Sequence, residues 1–184
     1  MESEKVENRK WVVDNKYRLS AIHFFIMKTF IDSLDRQFLN LHTRSCELIR
    51  KVPEEKLYLR QSEAKDLFPA NSCGELVLRS AGKVEQTFGG ITAKLWDDPF
   101  EWTLPETLST TDLILEYLAE VEETRQKGFA LFHSDEDLRR ELPAPETLKT
   151  IFALLIETLA GAEHFQGRAF SIFQMFSDAK LPQI

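Results

Sequence analysis

Residues 72–90, which read SCGELVLRSAGKVEQTFGG, carry the pattern that decides the fold of this chain. Ser72 and Glu75 match a capping box, in which the two side chains satisfy free backbone amides at the start of a helix. Apolar residues then recur every three or four positions, as on one face of an α-helix: Leu76, Val77, Ala81, Val84 and Phe88. The glycines at 89 and 90 are typical of a helix end. This stretch therefore predicts an amphipathic helix.

Three further helices are predicted around this one. The first spans about residues 15–51 and ends before Pro53, because a residue that precedes proline is disfavoured in a helix. The third spans about 109–132 and opens on a capping-type run of Ser, Thr and Asp. The fourth starts near Glu146 and reaches about Phe176. Since each apolar stripe needs neighbours on two sides, and no strand-like alternation occurs, we predict an all-α, antiparallel four-helix bundle.

The segments between the helices are predicted to be loops. Residues 94–109 contain Trp96 and Trp102 and show no periodicity, which indicates a long crossing loop that either packs on the bundle or covers a small pocket. Residues 134–145 are charged and contain two prolines, which also predicts a loop. We expect one domain over residues 1–184, with frayed ends at 1–15 and 177–184.

Composition disfavours two classes of partner. The formal net charge is −7 and the basic residues are scattered among acidic ones, so a nucleic-acid partner is not expected. No apolar run approaches the roughly 20 residues that a membrane span needs. Two cysteines without a metal-type spacing, and a polar start without a signal peptide, predict a cytoplasmic protein. Fourteen phenylalanines exceed what four stripes need, which favours a homodimer.

Three short strings resemble those of the DinB-like superfamily. VPEEKL at 52–57 follows the first helix, SCGELVL at 72–78 opens the second, and GAEHFQGR at 161–168 lies in the fourth. The resemblance implies an up-down bundle, often dimeric, with a pocket in which three histidines hold a divalent metal. It also implies that characterised relatives use this metal to activate a low-molecular-weight thiol for transfer to an electrophile.

The positions that the resemblance assigns to these histidines hold other residues. Arg79 stands at the second-helix position, and Gly161 and Phe165 stand at the two fourth-helix positions. A guanidinium has no lone pair for a metal, and the other two side chains offer no donor. Because a catalytic zinc site needs about three protein ligands, no metal of the family type is expected here.

Two arrangements are open for Arg79. A buried guanidinium needs a carboxylate, which Glu157 on the fourth helix, or Glu116 and Glu120 on the third, would supply in place of the metal. Alternatively, Arg79 pairs with Glu75 one turn earlier on the helix surface.

The former metal site also suggests a small ligand pocket. Gly161 leaves space and Phe165 lines it, so we predict an apolar cavity between the second and fourth helices.

Two other constellations bear on a metal. His164 beside Glu163 could form a relocated site or supply a general base, although the offset from Phe165 favours a position on the flank of the bundle. Glu116 and Glu120 lie four residues apart, as in carboxylate di-metal centres. Such centres normally also need Glu-x-x-His motifs, so a solvated acidic face is favoured.

Two functions follow from these observations. In the first, the chain is a DinB-like bundle without a cofactor that binds a small molecule or a partner protein. In the second, it is a thiol S-transferase-type enzyme with a relocated zinc or nickel site. Whether the chain is an enzyme stays open at this level.

Overall fold

The computed structural model describes residues 28–60 and 71–183, which contain four long α-helices and one small β-hairpin. The elements are α1 (Thr29–Lys51), α2 (Cys73–Ala93), α3 (Thr111–Phe129), β1 (Glu141–Pro143), β2 (Leu148–Thr150) and α4 (Ile151–Gln174). Short 3₁₀ turns occur at Glu54–Lys56, Pro99–Glu101 and Asp135–Arg139. The predicted all-α four-helix bundle is confirmed. Residues 1–27, including the predicted first part of the first helix, lie outside the described residues.

Contacts between the helices give their directions. α1 and α4 are parallel neighbours, because Phe30 meets Phe152 near their starts and Arg44 pairs with Glu163 further along both. α2 and α4 are antiparallel, and they form the most extensive helix pair in the described part of the chain. The hydroxyl of Ser80 donates to a carbonyl of the central part of α4.

α3 completes the bundle between α1 and α2. It runs antiparallel to α1, since Arg125 near its end pairs with Asp35 near the start of α1. It runs parallel to α2, because Gly128 near its end lies against Phe88 near the end of α2. The order is therefore up-down-down-up. Two neighbouring pairs are antiparallel as predicted, whereas α1 with α4 and α2 with α3 are parallel, because the segment between α2 and α3 returns along the bundle. The parallel pair α2 and α3 requires the connecting segment 94–110 to return along the bundle, as the predicted crossing loop does.

The capping box that opens α2 is confirmed. Glu75 N donates to Ser72 Oγ at 3.2 Å, and Ser72 N donates to Glu75 Oε2 at 2.7 Å. Arg60 also pairs with the Glu75 carboxylate. α2 extends to Ala93, beyond the predicted end at the two glycines, and ends at Lys94 in the left-handed conformation, with φ of 57°.

Replacing Ser72 with alanine tests this helix start. Because Ser72 is fully buried and its hydroxyl accepts from a helix amide, we expect the free energy of unfolding to fall by about 1 kcal/mol. Urea denaturation of both proteins measures the difference. Ser109→Ala, at an exposed serine just before α3, is the control and is expected to change stability by less than about 0.5 kcal/mol. Equal losses for the two variants would contradict the capping role.

The segment between α3 and α4 differs from the sequence prediction. Residues 134–145 were predicted to be a loop followed by a helix from Glu146, but β1 pairs with β2 in this region and α4 begins only at Ile151. The hairpin uses the chain on both sides of Pro145, where a helix is disfavoured. Leu148, which a helix from Glu146 would include, lies in β2 instead and is 61% exposed.

Phenylalanine rings form the core at one end of the bundle. Phe38, Phe88 and Phe129 contact one another with centroids 5.3–5.9 Å apart, and Phe132 packs on Phe129. Other rings lie at the surface, for example Phe152, which is 42% exposed. The homodimer that the phenylalanine content favoured stays a prediction, which sedimentation of the purified chain would test.

The described C-terminal residues leave α4 and return to the bundle. Leu181 packs against the core, and Lys51 on α1 donates to the carbonyl of Lys180 at 2.9 Å. Among the described helices, none combines the length and apolar character that crossing a membrane requires.

Candidate functional site

A cleft of about 460 Å³ lies between the second half of α2 and the first half of α4. We call it the α2–α4 cleft. The hairpin turn and the start of the crossing loop complete its walls. It is lined by Lys83, Gln86, Thr87, Trp96, Ala144, Pro145, Glu146, Lys149, Leu154, Glu157, Thr158 and Gly161.

Gly161 gives the cleft its open space. A Cβ atom added to this glycine would meet no atom within 4 Å. One turn earlier, the buried hydroxyls of Thr158 and Thr87 join α4 to α2 through a hydrogen bond of 2.6 Å. The predicted cavity between the second and fourth helices thus has a counterpart at Gly161. Its lining mixes polar with apolar groups, however, and includes neither Arg79 nor Phe165.

Trp96 forms an aromatic wall of the cleft. A Cβ atom on Gly90 would lie 2.6 Å from three atoms of the six-membered ring of this indole, so the ring lies face-on against the glycine. Gln86 Nε2 donates to the carbonyl of Trp96 at 3.3 Å, which ties the same residue to α2. The position of the indole therefore depends on Gly90 and on the hydrogen bond from Gln86.

Charged groups of both signs surround the cleft. Lys149 Nζ lies 2.5 Å from Glu157 Oε2, so these two charges neutralise each other. Lys83 on α2 is half-buried and makes no ion pair or hydrogen bond with any described residue. Glu146, at the exposed hairpin turn, likewise has no partner among the described residues.

Arg79 lies outside the cleft, under the crossing loop. Its guanidinium stacks on Phe100, with the central carbon 4.8 Å from the ring centroid. Neither predicted pair forms within the described residues, because Glu75 pairs with Arg60 and Glu157 pairs with Lys149. The crossing loop accounts for the partner that Arg79 has instead, because its 3₁₀ turn at Pro99–Glu101 carries Phe100.

The residues of the predicted relocated site have other surroundings. The carboxylate of Glu163 pairs with Arg44 on α1, while His164 is exposed and contacts Phe165 ring to ring at 5.7 Å. Phe165 itself is half-buried and packs against the core. Within residues 28–60 and 71–183, no group of three or more His, Cys, Asp and Glu side chains is placed to hold a metal ion. At the three positions that the resemblance assigns to histidines, Arg79, Gly161 and Phe165 supply no side-chain donor for a metal.

Glu116 and Glu120 are both exposed on α3, as expected for a solvated face. They border a separate cleft of about 230 Å³ with Glu85 and Tyr117. Tyr117 donates to Glu85 Oε2 at 2.6 Å, and burial raises the pKa of both groups. Neither Glu116 nor Glu120 approaches Arg79 through an ion pair in the described structure.

Sequence reasoning missed one cysteine–histidine contact. Cys46 Sγ lies 3.6 Å from His42 Nε2, one turn apart on α1. Burial raises the pKa of the Cys46 thiol and lowers the pKa of the His42 imidazole. Both groups are therefore neutral near pH 7, and a neutral thiol is a weak nucleophile. The adjacent internal cavity of about 20 Å³ is also too small for an organic substrate.

Sequence reasoning also missed Lys83 and Lys149 as members of a site. Lys83 follows Arg79 by one helical turn, so a basic pair on one face was the available signal. Lys149 carried no such signal, because its position depends on the hairpin.

One solved structure with a similar fold is a DinB-like protein from Bacillus subtilis, YjoA. The two structures superpose with a TM-score of 0.61 at 20% sequence identity, over 82% of this chain and 96% of that protein. No protein-family model and no curated protein matches the sequence. At this identity the likeness concerns the fold, which agrees with the three strings that resemble the superfamily. The chain has the DinB-like fold.

Proposed function

We propose that this protein binds a small organic molecule in the α2–α4 cleft. The observation that carries the proposal is the open volume over Gly161, about 460 Å³, because ligand sites in proteins are concave and typically occupy roughly 300–1,000 Å³. The apolar lining groups Trp96 and Leu154 supply contact area. A few polar groups beside them supply orientation, which is the usual division in such sites.

The position of the cleft in the fold supports the same proposal. Gly161 is one of the positions that the family resemblance assigns to the metal site. The cleft therefore opens at a place where related bundles are expected to bind, although its side chains are different. Two hydrogen-bonded threonines and an ion pair hold the surrounding helices and hairpin together, and such fixed walls reduce the cost of ordering a binding site.

Filling the cleft from Gly161 tests the proposal. We expect Gly161→Leu to weaken binding of the fluorescent probe N-phenyl-1-naphthylamine by about tenfold or more, a loss of about 1.4 kcal/mol, because the new side chain occupies the ligand volume. Fluorescence titration measures the dissociation constant.

Gly167→Leu is the matched control for this experiment. Gly167 also lies on α4, and a Cβ atom there also meets nothing within 4 Å, but the residue does not line the cleft. Circular dichroism should report unchanged helix content in both variants. Equal probe affinity of the wild type and Gly161→Leu would overturn the proposal.

The enzyme alternative has less support. A metal bound at His164 would need Glu163 to break its ion pair with Arg44. It would also need further ligands, because no group of three or more suitable side chains is placed to hold a metal within the described residues. Metal analysis of the purified chain tests this alternative, since stoichiometric zinc or nickel that is lost in His164→Ala would favour it.

A further inference from the structure

We infer that the α2–α4 cleft selects a small organic anion, with the Lys83 ammonium as its counter-ion and the Trp96 indole as the contact for its apolar part. This inference rests on the proposed function and names the class of ligand.

Most polar groups around the cleft already have partners. Thr87 and Thr158 bond to each other, the Gln86 amide donates to the Trp96 carbonyl, and Lys149 pairs with Glu157. The contacts that these groups already make compete with a ligand, which reduces the net gain from a new hydrogen bond. They shape the cleft but leave recognition of charge to other residues.

Among the described residues that line the cleft, Lys83 is the cation without an ion-pair partner. It is half-buried on a long helix, and no described residue neutralises it. A charge that is partly removed from water gains more from an opposite charge than an exposed one does, because the surrounding dielectric constant is lower. An anion bound in the cleft would supply this missing partner.

Glu146 is the available group of opposite sign, but its setting differs. It lies at an exposed turn of the hairpin, so water solvates its carboxylate and screens its charge. Its attraction for a ligand cation is therefore weaker than the attraction of Lys83 for an anion. Removing the Glu146 charge should strengthen binding of an anion, because one repulsive charge is lost.

Trp96 accounts for the apolar half of the ligand. Gly90 supports one face of the indole, which borders the cleft together with Leu154. A fixed aromatic side chain offers a large contact area and loses little conformational entropy when a flat ligand binds to it.

Two probes that differ only in a sulfonate group test the inference. 8-Anilinonaphthalene-1-sulfonate is the anionic counterpart of the neutral N-phenyl-1-naphthylamine. In the wild type we expect the affinity for the anionic probe to be at least about fivefold higher than the affinity for the neutral probe. We expect 0.5 M NaCl to reduce this affinity ratio. Lys83→Gln should bring the ratio close to one, whereas Lys83→Arg should retain it.

Two charge variants serve as controls. Lys180→Gln removes the same charge at the opposite end of the bundle and should leave the ratio unchanged. Glu146→Gln should keep the ratio or increase it. In Gly161→Leu, both probes should bind weakly.

The outcomes separate the inference from the function on which it rests. If both probes bind equally and both are lost in Gly161→Leu, the cleft is a ligand site without preference for an anion, and the inference is overturned alone. If Lys83→Gln and Lys180→Gln reduce the affinity ratio equally, the inference that Lys83 selects an anion is overturned as well. If neither probe responds to Gly161→Leu, the proposed function fails together with the inference.

Discussion

Replacing Phe88 with alanine is expected to lower the free energy of unfolding by about 3–5 kcal/mol, the range for truncating a fully buried aromatic side chain. Phe88 is 0% exposed and contacts Phe38 and Phe129, with ring centroids 5.4 and 5.3 Å away. These rings come from α2, α1 and α3, so the truncation would leave a cavity where three helices meet. Urea denaturation, monitored by circular dichroism, measures the loss.

The control for this prediction is Phe152→Ala. Phe152 lies on α4 and is 42% exposed, so its replacement by alanine should lower the free energy of unfolding by less than about half of the loss at Phe88. A loss at Phe88 no larger than the loss at Phe152 would contradict the assigned core.

Gly128 offers a second test of the same contact. A Cβ atom at this position would overlap the ring of Phe88, so Gly128→Ala should be destabilising by about 1–3 kcal/mol despite the better helix propensity of alanine. In the Phe88→Leu background the added methyl group has more room. The loss from Gly128→Ala should therefore be smaller in that background, and a double-mutant cycle measures the difference.

Arg125→Met is the second substitution with a large expected effect. Arg125 on α3 is 3% exposed. It pairs with Glu122 on the same helix at 2.7 Å, and its second ion pair, with Asp35, joins α3 to α1. Removing the guanidinium leaves the Glu122 side chain, which is 11% exposed, without its cation. Breaking a buried ion pair in this way typically costs about 3–5 kcal/mol.

The double variant Arg125→Met/Glu122→Leu separates the ion pair from the volume of the side chain. It removes both buried charges and keeps apolar contact with Phe129, over whose ring Arg125 lies. Because well-packed apolar residues often replace a buried ion pair at little cost, we expect it to recover most of the lost stability. A double variant as unstable as Arg125→Met would show that packing, rather than an unpaired carboxylate, causes the loss.

The pH dependence of stability provides an independent check. Burial raises the pKa of Glu122, but hydrogen bonds from Arg125 and Gln126 outweigh it and hold the pKa below its usual value. In the wild type this group therefore stabilises the fold above its unfolded pKa, and the contribution is lost as the pH falls through the folded pKa.

In Arg125→Met we expect the shift of the Glu122 pKa on folding to have the opposite sign. Burial then raises the folded pKa of Glu122 above the unfolded value, so protonation relieves the penalty as the pH falls. The difference in stability between variant and wild type should narrow from pH 7 to about pH 4. A constant difference would argue against Glu122 as the cause.

Local signals were sufficient for the helices but not for their surroundings. The start of α2 at Ser72 and the end of α1 before Pro53 depend on hydrogen bonds and steric limits within one turn of the chain, which the sequence contains. The hairpin depends on pairing between two three-residue strands. Neither strand is long enough to show an alternation of polar and apolar residues. The resemblance to other bundles carries no information about the hairpin.

The amino-acid sequence by itself determined the four amphipathic helices and the crossing loop, and it placed Arg79, Gly161 and Phe165 where the resemblance implies histidines. Only the tertiary structure decided that Phe100 covers Arg79, and that Gly161 and Lys83 border one cleft. The reason is physical. Helical periodicity reports which residues of one helix share a face, whereas a site requires the order, direction and rotation of several helices. Long-range packing decides these three properties, here with α2 parallel to α3 and antiparallel to α4.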